Sequence, residues 1–141
     1  MDALNILVVD DDQNLAITLS HGLRKAMGTA TSVVFCSSSP DAFEMLATQR
    51  FDAVISDLHM PGMSGLELLK KIRQDHDEMS FVLITAYGTE TLEDEVHRLG
   101  FGYITKPFEM PILLKSIGGL IQGKATSEGT KDAPPTVAQD L

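Results

Sequence analysis

Cysteine and basic residues are both scarce in this sequence. The one cysteine, Cys36, cannot form a disulfide within the chain or build a metal cluster of cysteines. It follows the apolar residues Val33, Val34 and Phe35, so we expect a small buried hydrophobic side chain. Lys and Arg number 11 against 20 Asp and Glu, a formal net charge of −9. Because phosphate backbones attract basic residues, this balance argues against nucleic-acid binding by the chain.

Long apolar runs are missing as well. No segment approaches the roughly 20 apolar residues that a membrane-spanning helix needs. The first residues, 1–5, lack the basic region and the apolar stretch of a signal peptide. We therefore expect a cytoplasmic protein without membrane contact. With 141 residues, of which 43% are hydrophobic and 22% charged, the chain suits one globular domain.

Short apolar runs alternate with amphipathic segments over most of the chain. Buried strands are predicted at residues 6–9, 33–36, 53–56, 81–84 and 103–105. Apolar residues at helical spacing follow each run, as with Leu15, Leu19 and Leu23 after the first. This alternation predicts an α/β fold, a doubly wound parallel sheet of five strands with five helices on its two faces.

The second helix has a clear start signal. Ser39 is its expected N-cap, with Pro40 at the first helical position. Phe43, Leu46 and Ala47 are its expected inner face.

The pattern changes near the carboxyl terminus. The last helix is predicted over about residues 111–121, weakened by Gly118 and Gly119. Beyond residue 123 the apolar periodicity ends and small and polar residues dominate. We predict a folded domain at residues 1–122, and at 123–141 a flexible tail or the start of an interdomain linker.

Polar residues follow four of the predicted strands. The first strand ends at Asp10–Asp12, the third at Asp57, the fourth at Thr85 and the fifth at Lys106. Ligands of doubly wound sheets bind outside the carboxyl ends of the strands, so these side chains should face one pocket. Each residue alone also fits a structural role, such as helix cap or ion-pair partner. Together they supply the groups that phosphoryl transfer needs.

The chemistry of the predicted pocket follows from its charges. Asp10, Asp11 and Asp57 repel one another unless a cation lies between them, and a hard divalent ion such as Mg²⁺ prefers oxygen ligands. Asp57, alone on the middle strand, is the candidate nucleophile for an aspartyl phosphate. Lys106 and Thr85 are candidates to bind the phosphoryl oxygens.

Four sequence pieces stand in a recognisable order: ILVVDDD at 6–12, DLHMPGMSG at 57–65, TA at 85–86 and YITKPF at 103–108. They resemble the receiver domain of response regulators in two-component signalling, over roughly residues 4–122. The resemblance implies a flavodoxin-like sheet with strand order 2-1-3-4-5. It also implies that Asp57 accepts a phosphoryl group from the phosphohistidine of a histidine kinase. Asp11, Asp57 and the backbone carbonyl of His59 would ligate Mg²⁺, with Asp10 acting through water.

The resemblance implies a switch as well. Thr85 and Lys106 would hold the phosphoryl oxygens, and Thr85 would move toward the phosphate. Tyr103 would turn inward next to the small Ala86, biasing a two-state element. The face of the fourth helix, fifth strand and fifth helix would then bind an output partner or a second copy of the chain. The bond between Lys106 and Pro107 would be cis.

A protein of this kind is not a conventional enzyme, although it would catalyse its own phosphorylation and slow dephosphorylation. His59 and Tyr87 flank the pocket, and by analogy bulky Tyr87 slows the removal of phosphate by water. No DNA-binding segment is visible, so output is expected through a partner protein or a missing C-terminal effector domain.

Three alternative functions are less consistent with the sequence. A degenerate receiver that only docks other proteins usually lacks a pocket residue, and this chain keeps them all. A phosphohydrolase of the haloacid-dehalogenase class needs an acid two residues after the nucleophile, where His59 stands. A flavodoxin-like FMN protein needs a phosphate-binding first loop, and three aspartates would repel phosphate there. The phosphoacceptor function is therefore preferred.

Overall fold

Strands and helices alternate along the part of the chain that the computed structural model describes, residues 4–28, 31–76 and 78–125. Their order is β1 (Asn5–Val9), α1 (Gln13–Met27), β2 (Ser32–Cys36), α2 (Ser39–Thr48), β3 (Ala53–Asp57), α3 (Gly65–Asp75), β4 (Ser80–Thr85), α4 (Glu90–Arg98), β5 (Gly102–Thr105) and α5 (Met110–Ala125). The strands form one parallel sheet in the order β2-β1-β3-β4-β5. The predicted doubly wound α/β fold and its strand order are confirmed.

Helices cover both faces of the sheet, so the inner strands β1, β3 and β4 are buried. Successive side chains of a strand point to opposite faces. In β1, Ile6 and Val8 pack with α1 and α5, and Leu7 and Val9 pack with α2, α3 and α4. Burial on both faces explains why the sequences of these strands are continuous apolar runs.

The predicted inner face of α2 is wrong for two of its three residues. Leu46 is buried, as is Ala42, but Phe43 is 37% exposed and Ala47 is exposed as well. Helix α2 packs on β1 next to the edge strand β2, which is itself only partly covered. A helix at the edge of a sheet has packing partners on one flank only. The larger Phe43 therefore lies at the boundary between the core and solvent.

Side-chain caps begin the helices that lead away from the strand ends. Asp12 caps α1, accepting hydrogen bonds from the N–H groups of Asn14 and Leu15. The N-cap of α2 is Ser38 rather than Ser39, which becomes the first helical residue. The prediction is off by one residue because adjacent serines offer the same capping oxygen.

Helix α5 is longer than predicted. It ends at Ala125 rather than near residue 121, and Gly118 and Gly119 lie within it. A glycine costs about 1 kcal/mol relative to alanine in a helix, which weakens a helix without ending it. Residues 126–141 of the predicted tail lie outside the described residues, and the division at residue 122 stays a prediction. Each helix that the structure describes is too short or too polar to cross a lipid bilayer.

Candidate functional site

An acidic cluster lies at the carboxyl ends of two neighbouring strands. Asp57 is the last residue of β3, and Asp10 follows β1, whose Val9 is paired with Ser56. One carboxylate oxygen from each of Asp10, Asp11 and Asp57 lies within 4.8 Å of the other two. Asp10 and Asp57 are buried and Asp11 is exposed. The structure therefore brings together the three aspartates that the sequence placed in one pocket.

Lys106 reaches the same cluster from β5. Its Nζ lies 2.9 Å from Oδ1 of Asp57 and 3.5 Å from Oδ2 of Asp10. Its backbone N–H donates to the carbonyl oxygen of Thr85 at 2.8 Å, which fixes the end of β5 to the end of β4. The bond between Lys106 and Pro107 is cis, as the resemblance implied.

Burial and neighbouring charges set the ionisation of these groups. Burial is the main reason that the pKa of Asp10 is raised, and the Asp57 carboxylate adds to the rise. The Asp12 N–H and Lys106 lower it in part. For Lys106, burial alone would lower the pKa, but the hydrogen bond to Asp57 and the charges of Asp10 and Asp57 raise it overall. Lys106 therefore stays protonated at neutral pH.

The donor set of the pocket fits a hard divalent cation. Among the described residues, three carboxylates converge there with one ammonium group, that of Lys106. The excess negative charge is held on strand ends that pack into a rigid core, and oxygen donors are what Mg²⁺ and Ca²⁺ prefer. The acidic cluster can therefore bind a metal ion.

Thr85 lies beside the pocket at the end of β4 and is completely buried. Its Oγ1 accepts a hydrogen bond from the Tyr87 N–H at 3.0 Å, so its hydroxyl is bound to the loop between β4 and α4. A hydroxyl that accepts a hydrogen bond still has its own proton to donate.

The loop between β3 and α3 folds tightly over Asp57. The Leu58 N–H donates to the Ile84 carbonyl and the Gly65 N–H donates to the Leu58 carbonyl, both at 2.8 Å. A Cβ on Gly65 would overlap the carbonyl oxygen of Asp57 and stand 2.8 Å from Oγ of Ser56. Only glycine fits this position. Sequence reasoning missed this contact, although Gly65 stands at the end of the quoted loop motif.

Two aromatic side chains stand next to each other at the pocket. His59 lies two residues after Asp57 and is exposed, and the Tyr87 side chain is 77% exposed. Their ring centroids are 5.6 Å apart, with an edge-to-face angle of 72°. The sequence placed each residue beside the pocket but did not predict their contact.

Tyr103 is half-buried between β5 and α4. Its ring packs edge-to-face on His97 of α4, with centroids 6.3 Å apart. Burial raises the pKa of its hydroxyl, and the charge of Glu93 adds to the rise. A Cβ built on Gly88 would overlap the Tyr103 hydroxyl, so the tyrosine points into the β4–α4 loop. Ala86, the small residue of the predicted switch, is exposed in that loop.

The fold and the strand-end residues define a receiver-type α/β domain. The family model of the response regulator receiver domain matches residues 6–118. The chain belongs to this family.

Two similar proteins, MprA and FleR, are longer than this chain. It is 30% identical over 142 residues to the response regulator MprA of Mycobacterium sp. (strain KMS), covering 98% of this chain and 59% of MprA. It is 39% identical over 113 residues to the response regulator protein FleR of Pseudomonas aeruginosa, covering 79% of this chain and 23% of FleR. The chain thus spans less than two thirds of either protein.

The fold is also found among solved structures. A CheY-like response regulator receiver domain protein from Methanospirillum hungatei superimposes with a TM-score of 0.80. The match covers 89% of this chain and 99% of that protein, at 22% identity. At this identity the likeness concerns the fold.

Proposed function

We propose that this chain is a phosphorelay switch whose Asp57 accepts a phosphoryl group from the phosphohistidine of a histidine kinase. The observation that carries the proposal is the 2.9 Å contact between Lys106 Nζ and Asp57 Oδ1 beside two further carboxylates. It supports a site with a nucleophile, an anchor for phosphoryl oxygens and a place for a cation.

Each proposed role follows from chemistry at these atoms. A carboxylate oxygen of Asp57 bonds to phosphorus while the phosphorus–nitrogen bond of the phosphohistidine breaks. The nitrogen keeps the electron pair. The Lys106 ammonium then neutralises a phosphoryl oxygen, and the Thr85 hydroxyl donates its proton to another. Asp57 is 7% exposed, so its carboxylate reaches solvent only at the mouth of the pocket.

We assign the metal of this site as Mg²⁺. Asp11, Asp57 and the backbone carbonyl of His59 would hold it, with Asp10 acting through a water molecule. The bound ion would neutralise charge on the transferring phosphoryl group. The support is the cluster of three carboxylates around one ammonium group.

The protein in this proposal is a switch with a slow autophosphatase activity rather than a conventional enzyme. Water must reach the phosphorus atom past the side chains at the mouth of the pocket. The His59 and Tyr87 rings stand in contact there, and we infer that Tyr87 restricts the approach of water. Its removal should therefore shorten the life of the phosphorylated state.

The output surface in this proposal is formed by α4, β5 and α5. Thr85 and Tyr103 both border Gly88, which gives the pocket a physical connection to this surface. It would bind an output protein, a C-terminal effector domain or a second copy of the chain. The greater length of MprA and FleR supports an effector domain beyond the linker. We place the protein in the cytoplasm, with no contact of this chain to nucleic acid or membrane.

Phosphorylation by a small donor tests the proposal directly. The protein is incubated with Mg²⁺ and acetyl phosphate, and a hydroxylamine-labile phosphate is measured. Asp57→Asn should abolish the label, and the matched control Asp75→Asn, an exposed carboxylate of α3, should keep it. Labelling that survives Asp57→Asn would move the acceptor to another residue. Absence of label in the unchanged protein would favour a degenerate receiver that only docks partners.

A further inference from the structure

The Tyr103 hydroxyl lies where a side chain on residue 88 would stand. A Cβ on Gly88 would overlap this hydroxyl, and it would lie 2.9 Å from Cζ of Tyr103 and 3.2 Å from Cγ2 of Thr85. The contact is therefore possible only because residue 88 has no side chain.

The backbone at this glycine would accept another residue. The left-handed glycines of the described chain are Gly28, Gly62 and Gly100, and Gly88 is not among them. Alanine at position 88 would not strain the backbone. Its methyl group would instead displace the far end of the Tyr103 side chain, which can rotate away.

Gly88 lies on a continuous set of contacts between the acidic pocket and β5. The Thr85 hydroxyl accepts from the Tyr87 N–H, and the Thr85 carbonyl accepts from the N–H of Lys106, whose Nζ contacts Asp57. Gly88 follows Tyr87 directly and supports the Tyr103 hydroxyl. A shift of Thr85 would carry this loop, and with it the surface on which Tyr103 rests.

We propose that Gly88 is a positioning residue of the switch: its missing side chain receives the Tyr103 hydroxyl and couples the Asp57 pocket to the β5 surface. The inference rests on the proposed function and deepens its regulation. Without this space Tyr103 turns outward, and the state of Asp57 no longer reaches α4, β5 and α5. His97 and Glu93 of α4 also face the tyrosine, but neither occupies this space.

The chain itself supplies the probe. It has no tryptophan and two tyrosines, so Tyr87→Phe leaves Tyr103 as the only tyrosine. Its ionisation is followed by phenolate absorbance, and its emission is recorded with and without Mg²⁺ and acetyl phosphate. The parent Tyr87→Phe protein is compared with the same protein carrying Gly88→Ala.

The expected result has three parts. Without phosphodonor, Gly88→Ala lowers the pKa of Tyr103 toward the ordinary value of about 10, because the hydroxyl becomes solvated. The change in Tyr103 emission on addition of phosphodonor is lost. Hydroxylamine-labile labelling of Asp57 remains, because the added methyl group meets Thr85 at its Cγ2 and not at its hydroxyl.

Other results would overturn the inference. An unchanged Tyr103 pKa in Gly88→Ala would show that the hydroxyl does not depend on this space. A lowered pKa with an intact emission response would show that the contact exists without coupling the two sites. If the parent protein does not become labelled, the proposed function is rejected, and the coupling is rejected with it. The pKa comparison would then still show whether Tyr103 depends on the space at Gly88.

A double-mutant cycle keeps the test independent of folding yield. If Gly88→Ala acts through the tyrosine, its effect on thermal stability should disappear in a Tyr103→Ala background. If Gly88→Ala lowers the stability equally with Tyr103 and with Tyr103→Ala, the new methyl group contacts some other residue. That result would contradict the inference.

Discussion

Lys106 Nζ lies 2.9 Å from Oδ1 of Asp57, although β4 separates the strands that carry the two residues. The contact also places the ammonium group 3.5 Å from Asp10. The Lys106 side chain is 24% exposed, so the pair is shielded from water on most sides. Together with the Asp12 N–H, which donates to Asp10 at 2.8 Å, this cation offsets the burial of the two carboxylates when no metal is bound.

Removal of this cation should weaken both the fold and the chemistry. Lys106→Met leaves Asp57 and Asp10 without their ammonium partner, and we expect a loss of about 1–2 kcal/mol in the free energy of unfolding. Labelling from acetyl phosphate should fall about 100-fold, because a phosphoryl oxygen loses its counter-charge. Urea unfolding and initial labelling rates measure the two effects. Lys71→Met, on the exposed face of α3, is the control, and equal rates in both variants would contradict the assignment.

Binding of Mg²⁺ should stabilise the protein. The ion binds the folded acidic cluster and not the unfolded chain, so the melting temperature should rise with its concentration. At ten times the dissociation constant the free energy of unfolding should increase by about 1.4 kcal/mol. Asp11→Asn should weaken this effect without loss of the fold, since Asp11 is exposed. Thermal unfolding with MgCl₂ or EDTA is the measurement. A melting temperature that does not change with the Mg²⁺ concentration would contradict the binding of Mg²⁺ by the cluster.

The ionised Asp10 carboxylate should lower the free energy of unfolding at neutral pH when no metal is bound. Burial raises its pKa above the ordinary value, so the ionised form is disfavoured in the folded state. Asp10→Asn should therefore be more stable than the unchanged protein at pH 7 in EDTA. The difference should shrink as the pH falls through the folded-state pKa and vanish below about 3.9.

Urea unfolding from pH 7 to pH 4 measures this difference. Asp94→Asn, at an exposed position of α4, should show no such trend. A less stable Asp10→Asn protein at pH 7 would mean that attraction to Lys106 outweighs the cost of burial.

Tyr87→Ala should shorten the life of the phosphorylated protein several-fold, because it removes the ring that contacts His59 at the pocket mouth. Tyr87→Phe keeps the ring and should keep the rate. Loss of the hydroxylamine-labile label after removal of donor gives both rates. If the Tyr87→Ala protein loses its phosphate no faster than the unchanged protein, the inference that Tyr87 restricts the approach of water is wrong.

Cys36 should resist alkylation in the folded protein. Burial raises the pKa of its thiol to about 11, so at pH 8 the thiolate fraction is about 100-fold below that of an ordinary cysteine. Iodoacetamide labelling followed by mass spectrometry should be correspondingly slow, and fast in urea. Similar rates in the two states would show that the thiol is open to solvent.

The sheet and the pocket could be predicted because each depends on a strong local signal. The central strands are buried on both faces, so apolar runs mark them within one or two residues. Asp10, Asp57, Thr85 and Lys106 sit at the ends of those runs, and parallel strands bring such ends together.

What the sequence did not reveal depends on packing at a finer scale. Phe43 is exposed because α2 lies near the sheet edge, a position that the helical period does not encode. The contact of Tyr103 with Gly88 depends on a rotamer and on the path of a loop. Helix α5 continues to Ala125 because the cost of its two weak helix formers, Gly118 and Gly119, is too small to end it.

The Lys106 to Asp10 contact joins residues separated by 96 positions in the chain. They follow β1 and β5, and β3 and β4 lie between these two strands in the sheet, so the site needs all four strands in place. A nascent chain released before β5, or a molecule cut between β4 and β5, would carry the aspartates without the lysine. In the proposed function, such a molecule would lack the ammonium group that anchors the phosphoryl oxygens.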